Sequence, residues 1–369
     1  MESSSQHNLS GENLTEALVA FGLATAAAAL IKLPELFGLQ LGEHEGFYLR
    51  NLSLFVLPLL TVYFAWKRLH DTRILPWLAA AFVAAGVFAN VYPYVPQGDT
   101  TAIVTLHIPV ALWLVVGIAY AGGRWSRTEG RMDFIRFSGE LVIYYALLAL
   151  GGGVLTGFMA LIFGTIDVDI EHFFESWLLP CGATGAVIFA SWLVENRQHV
   201  MENLAPLLAR IFTPLFSLVL LTFLGTLLWT GRAVDIEREV LIAFDMLLVL
   251  VLGLLLYSIS ARDREAPPGI FDWLQVGLVI AALMADAVAL WAIGGRISEW
   301  GFTPNRTVTL GLNLILLVNL AWSALLYVHF LRGRGNFAEL ESWQTRYLTV
   351  YAVWAAAMVI AVPPIFGFG

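Results

Sequence analysis

The sequence predicts an all-α protein, a polytopic transmembrane helical bundle of about 11 spans with short loops. Three observations predict it. Hydrophobic residues make up 59% of the 369-residue chain and charged residues only 13%, which is roughly half the charge of an ordinary soluble domain. The mean hydropathy is +0.77, more apolar surface than a soluble fold of this length has interior to hide. Apolar runs of about 20 residues, the length that crosses a hydrocarbon core, recur from end to end. No loop between them could fold as a domain of ordinary size, so residues 1–369 read as one integral membrane domain behind a short polar tail, 1–13.

The runs lie at 14–31, 51–66, 75–95, 102–121, 138–163, 177–194, 206–230, 241–260, 273–294, 307–331 and 345–365. The first is Ala-rich and reads as a retained helix. Glu12 and Glu16 stand where a signal peptide carries basic residues, and no Lys or Arg precedes Lys32. The second run is short, and the seventh has an alternative start at Pro214.

Charge narrows the function classes. The net charge of −8 gives no basic surface for nucleic acid. Cys181 is the single cysteine, so no intrachain disulfide and no cysteine-based metal cluster can form. Loops after even-numbered runs hold 14 of the 20 basic residues, among them Lys67, Arg68, Arg124, Arg127, Arg131 and Arg136. Loops after odd-numbered runs hold Lys32, Arg50, Arg232, Arg238, Arg296 and Arg306. Excess positive charge stays on the cytoplasmic side, so the N-terminus is expected inside and the C-terminus outside a bacterial cytoplasmic membrane. Asp167, Asp169, Glu171 and Glu175 share one outer loop.

The tripeptide Phe212-Thr213-Pro214 returns as Phe302-Thr303-Pro304 three runs later. Two readings fit. The copies could belong to inverted repeats, which enter from opposite faces. The plainer reading is helix-start chemistry, with Thr as N-cap and Pro as the first helical residue.

The stretch Trp300-Gly301-Phe302-Thr303-Pro304-Asn305-Arg306, followed by Leu310-Gly311-Leu312-Asn313, and the stretch Arg136-Phe137-Ser138-Gly139-Glu140, running into Gly151-Gly152-Gly153, carry a resemblance. Over roughly residues 134–331 the chain resembles bacterial membrane proteins grouped as domain of unknown function 4153. The resemblance implies a multi-helix inner-membrane protein and no activity; with no appended soluble domain expected in this sequence, the chain reads as a minimal member.

Ionisable residues inside spans are rare and expensive, which makes them the candidates for chemistry. Asp286 lies inside the ninth run, about 12 Å below its expected outer end near Gly294. It reads either as a proton, cation or headgroup site or as half of a structural ion pair. Asp245 sits about 6 Å inside the eighth run. Arg238, Arg296 and Arg306 fall at the same outer side, so a shared network is expected, with Arg306 turned back toward the acids and Asn313 a further partner for Asp286. The bland alternative for the arginines is snorkelling to the interface. Glu140 is expected to cap or pair with Arg136. Gly151-Gly152-Gly153 and Gly157 are expected to admit a neighbouring helix.

His107 is the one histidine clearly inside a span; with no imidazole partner at matching depth it does not make a bis-His haem site, and no cofactor or metal is expected. Glu43, His44, Glu45 and His172 have metal-ligand chemistry in spacings that match no zinc motif. No phosphate-binding G-x-x-x-x-G-K-[ST] loop, H-E-x-x-H or G-x-S-x-G occurs.

Three functions remain. A transporter or permease-like protein, with proton or ion coupling, draws on the intramembrane acids and on Pro58, Pro109, Pro180 and Pro214 as helix breaks. A membrane transferase using a lipid-linked substrate would use Glu35 with Glu43-His44-Glu45 as bases. A non-catalytic scaffold or partner subunit would leave every intramembrane polar residue structural. The expected partners are the bilayer and a small ion or lipid headgroup.

Overall fold

The computed structural model describes the backbone of all residues except 1, 97, 166–169, 197 and 231–237, and omits in addition the side chains of 2–13, 198–208, 227–228, 230, 238–240 and 243. The described backbone is helices and connecting turns, with no strand among the described residues. A helix stands at each of the eleven anticipated places: α1 (Glu2–Lys32), α2 (Glu45–Arg68), α3 (Leu75–Val91), α4 (Asp99–Tyr120), α5 (Thr128–Gly164), α7 (Leu179–Asn196), α8 (Gln198–Thr230), α9 (Arg238–Ser260), α10 (Ile270–Trp300), α11 (Pro304–Leu331) and α12 (Phe337–Ile360). The single turns α6 (Glu171–Phe173) and α13 (Val362–Ile365) flank α7 and α12. Among the described residues nine helices are long and apolar enough to cross a membrane, which makes this an integral membrane protein. The described part of α9, Phe244–Ser260, is shorter, and α12 is not among the nine. Glu339, Glu341 and Arg346 make the first turns of α12 polar, and the anticipated run at 345–365 is broken at Ala361 before α13.

Several boundaries depart from expectation. Helix α10 does not end near Gly294. It runs through both glycines to Trp300 and stops at Gly301, whose positive φ of 75° is a backbone conformation open to glycine and rarely to other residues. Thr303 caps α11, its hydroxyl accepting from Arg306 N at 3.3 Å, with Pro304 first in the helix. The earlier tripeptide behaves differently. Helix α8 passes straight through it, and the Thr213 hydroxyl donates back to Ala209 O at 2.8 Å, so Thr213 is no cap and 214 is no helix start. The two copies therefore do not share a structural role.

The prolines do not break their helices either. Pro58 and Pro109 lie inside continuous α2 and α4, and α8 continues past Pro214. Membrane helices tolerate proline because neighbouring groups can satisfy the freed carbonyl. Pro180 alone follows an irregular stretch, the π-helical turn Phe174–Leu178.

The chain forms two compact units. The first holds Met1–Pro96, Val104–Trp125 and Glu140–Met201. Its centre is α1, α2 and α7, where Ala27, Val56 and Ile188 form a buried cluster. The Ala-rich face of α1 permits this approach: Gly185 packs on the Ala24 carbonyl and Cys181 on the Ala28 carbonyl. The expected approach of a helix to Gly151-Gly152-Gly153 and Gly157 is absent, with no described atom within 4 Å of where a Cβ would stand. Leu150, Val154, Leu155 and Phe158 beside them are exposed, so this part of α5 presents apolar surface outward.

The second unit holds Gln97–Ile103, Ser126–Gly139 and Glu202–Gly369. Within it α10 packs between α9 and α11, and α11 packs on α12. Two glycines of the motifs quoted above make close packing possible: a Cβ on Gly139 would overlap the ring of Tyr257, and one on Gly311 the ring of Trp354.

Candidate functional site

Asp286 sits near the middle of α10, fully buried. Fourteen residues separate it from Trp300, about 21 Å along the axis rather than the 12 Å expected from a helix ending at Gly294. Ala282 and Ala289, one turn to either side, and Ala285 are also fully buried, whereas Ala287 lies on the exposed side. Neither carboxylate oxygen of Asp286 has a hydrogen-bond partner.

The groups around it come from the two helices packed on α10. From α9 comes Asp245, close enough for its charge to act on Asp286. Asp245 is seven residues from the start of α9, about 10 Å, because that helix begins at Arg238 and not at 241. From α11 come Asn313 and Thr309. Asn313 is fully buried; its Nδ2 donates to Asp245 Oδ1 at 2.8 Å and to Thr309 O at 2.8 Å, and its Oδ1 is left without a partner. The Thr309 hydroxyl also bonds Asp245. The structure thus brings together Asp286, Asp245 and Asn313 among the residues expected from sequence.

It does not bring the arginines to them. Arg306 points away from the acids: its Nη1 donates to Gly301 O at 2.9 Å, closing the turn between α10 and α11. A guanidinium is well placed at the carbonyl-rich end of a helix, and that local partner wins over a distant acid. Arg296 is a helical residue ten positions beyond Asp286, about 15 Å along the axis and beyond side-chain reach. The side chain of Arg238 lies outside the described residues, as do Asp167 and Asp169. His107 is half-buried on α4 in the first unit and is not part of this cluster. Glu140 is buried on α5, while Arg136 is exposed.

Besides the ion pairs Arg262–Asp272 and Arg264–Glu341 of the second unit, three polar clusters escaped the sequence reading. In the second unit, Gln275 lies eleven residues before Asp286, on the same face of α10 because eleven residues make about three turns. Its Nε2 donates to Thr213 Oγ1 at 2.9 Å and Ser258 Oγ at 2.8 Å, and its Oε1 is buried without a partner. On α11 and α12, Asn319, Ser323 and Gln344 are fully buried and bond one another and the side chains of Trp343 and Tyr351.

The third cluster is ionic and belongs to the first unit. Glu195 on α7 grips Arg68 with both oxygens at 2.7 Å and meets Lys67 at 3.2 Å. Lys67 also bonds Glu16 on α1, which accepts from Tyr63 at 2.5 Å and Asn196 at 3.2 Å. Arg68 lies 3.9 Å over the Tyr120 ring. Charge pattern could have suggested this: Lys67-Arg68 ends one span, Glu195 ends another, and Glu16 opens the first. At the opposite helix ends of the same unit, Lys32 bonds Glu35 and, at 2.6 Å, Ser176 O.

Among the described residues no group of three His, Cys, Asp or Glu could hold a metal. Glu43 and Glu45 are exposed. No protein-family model, curated protein or solved structure matches this chain.

Proposed function

We propose that the protein is a permease-like carrier of a bacterial cytoplasmic membrane, coupled to a proton or small cation that occupies the Asp245–Asp286 centre. One observation carries the reading: Asp286 is fully buried with both oxygens unpartnered, and the charge of Asp245 acts on it. Among the described residues no cation pairs with it, so the structural ion pair that would have made it inert is not formed. Two nearby carboxylates with no basic partner among the described residues cannot both stay charged in a dry interior, so the centre must take up positive charge. Exchange of that charge between the two sides of a membrane is the work of a coupled carrier.

The test is proton movement. Protein in vesicles loaded with a pH-sensitive dye is driven by a potassium diffusion potential. The parent acidifies or alkalinises the lumen faster than empty vesicles, and Asp286→Asn does not. Equal traces for parent and variant would remove the coupling role.

The proposal includes the orientation with the N-terminus inside and the C-terminus outside, supported by the basic bias of the even loops. Reporter fusions after Arg127 and at Gly369 are expected to read inside and outside, and a reversed pair sinks the orientation. The affinity with the domain-of-unknown-function 4153 proteins stays part of the proposal on the motifs quoted. The transferase reading has less support: Glu35 is engaged by Lys32, and Glu43 and Glu45 stand exposed at the surface.

A further inference from the structure

We propose that the Asp245–Asp286–Asn313 centre binds a bare monovalent alkali cation, with the carboxylate of Asp286 and the amide oxygen of Asn313 as ligands. The inference rests on the carrier reading above and names what that centre takes.

The unmet groups have one polarity. Asp286 Oδ1, Asp286 Oδ2 and Asn313 Oδ1 are all buried acceptors without a donor. Asn313 cannot turn its amide to relieve this, because its Nδ2 is engaged by Asp245 Oδ1 and Thr309 O. Buried acceptors without a donor on two packed helices, linked through Asp245, which bonds Asn313 and whose charge acts on Asp286, form a site for positive charge.

The ligand chemistry selects the ion. Carboxylate and amide oxygens suit a hard cation, and no sulfur or imidazole nitrogen is among these groups. Asp245 is already held by Asn313 and Thr309, which leaves Asp286 as the carboxylate without a hydrogen bond. One free carboxylate with one amide oxygen suits a monovalent ion, whereas calcium asks for about six to eight oxygens and more carboxylate. Ala282 and Ala289 place no bulk on the turns that flank Asp286. The charged group acting on Asp286 is Asp245 of α9; α11 contributes the neutral Asn313 and Thr309, and its Arg306 is directed to Gly301.

The test is thermal melting of the detergent-purified full chain in sodium chloride against equal choline chloride at pH 8. A saturable rise in Tm is expected with sodium only. Lowering the pH should raise the half-saturating sodium concentration by roughly tenfold per unit where a proton competes for the same carboxylate. Asp286→Asn should lose the rise. If that variant does not fold, Asn313→Ala, which keeps both carboxylates, should raise the half-saturating concentration by at least about tenfold, a 1.4 kcal/mol change. Identical melting in sodium and choline overturns the proposal, and so does an undiminished sodium response in Asp286→Asn. A rise with calcium chloride and none with sodium overturns the monovalent class. A sodium-silent parent that still drives the dye signal leaves the carrier reading standing on protons alone. A sodium-responsive parent that is dye-silent keeps the site and sinks proton coupling.

Discussion

The helix ends of the first unit and the middle of α10 in the second treat membrane acids in opposite ways. In the first, Glu16 and Glu195 lie in helices apolar enough to span, and Lys67 and Arg68 meet them with hydrogen bonds from Tyr63 and Asn196 added. In the second, Asp286 accepts nothing from any described group. The difference is one of depth. Lys67 and Arg68 close α2, Glu195 is one residue from the end of α7, and their neighbour Tyr120 closes α4. Helix ends are where basic residues can stand at low cost, so a carboxylate there finds a partner from the next helix. Asp286 is about 21 Å from the end of its helix, at a level where a basic residue would itself need rescue. A structural bridge is easily made at the rim and hard to make at the centre. An acid at the centre is therefore left without a fixed partner.

The largest expected effect breaks or upholds that contrast directly. Glu195→Ala removes a carboxylate only 2% exposed and strands Arg68, while Lys67 keeps Glu16. Unfolding in detergent should lose roughly 3–5 kcal/mol, the usual loss when one partner of a buried pair is removed. Asp286→Asn, made in parallel, strands no cation among the described residues, so its stability should stay within about 1 kcal/mol of the parent. A large loss for Asp286→Asn and a small one for Glu195→Ala would reverse the assignment of structural and working acids.

A smaller effect sharpens it at the other end of the first unit. The phenol of Tyr94 is pushed up to about 12, first by burial, against the opposing pull of the Arg50 guanidinium 5.1 Å from its ring. Its hydroxyl donates to Phe88 O at 2.8 Å, which holds it neutral. A phenol raised in the folded state lends stability that is whole below its ordinary value near 10 and lost as pH climbs through about 12. Tyr94→Phe should flatten the fall in Tm over that alkaline window while leaving neutral stability little changed. An unchanged alkaline slope would show that the hydroxyl does not titrate with unfolding.

How much of this was legible in the sequence varied with the kind of signal. Helix existence was legible in every anticipated place, because a run of about 20 apolar residues has one stable form in lipid. The burial of Asp286 followed from its cost, whereas Asn313, expected to partner Asp286, bonds Asp245 instead. Boundaries were less legible. Gly294-Gly295 looked like a stop, yet the helix continued to Gly301 with its positive φ, since membrane helices tolerate glycine within them. Identical tripeptides proved ambiguous: Thr303 caps α11, while Thr213 sits mid-helix and accepts from Gln275. The assembled networks were the least legible, because Glu16, Lys67 and Glu195 meet across nearly 180 positions of chain.

By itself the sequence determined the class of protein, the number and places of its helices, and the acids that a membrane makes expensive. All of these follow from transfer of side chains out of water, which depends on local composition. Only the tertiary structure decided which acids are paired. Pairing depends on distances of a few ångströms between helices, and those are set by small-residue contacts such as Gly185 on Ala24. The same packing gave Arg306 a carbonyl at 2.9 Å in place of a carboxylate and left the two oxygens of Asp286 within reach of the charge of Asp245 and with no donor of their own.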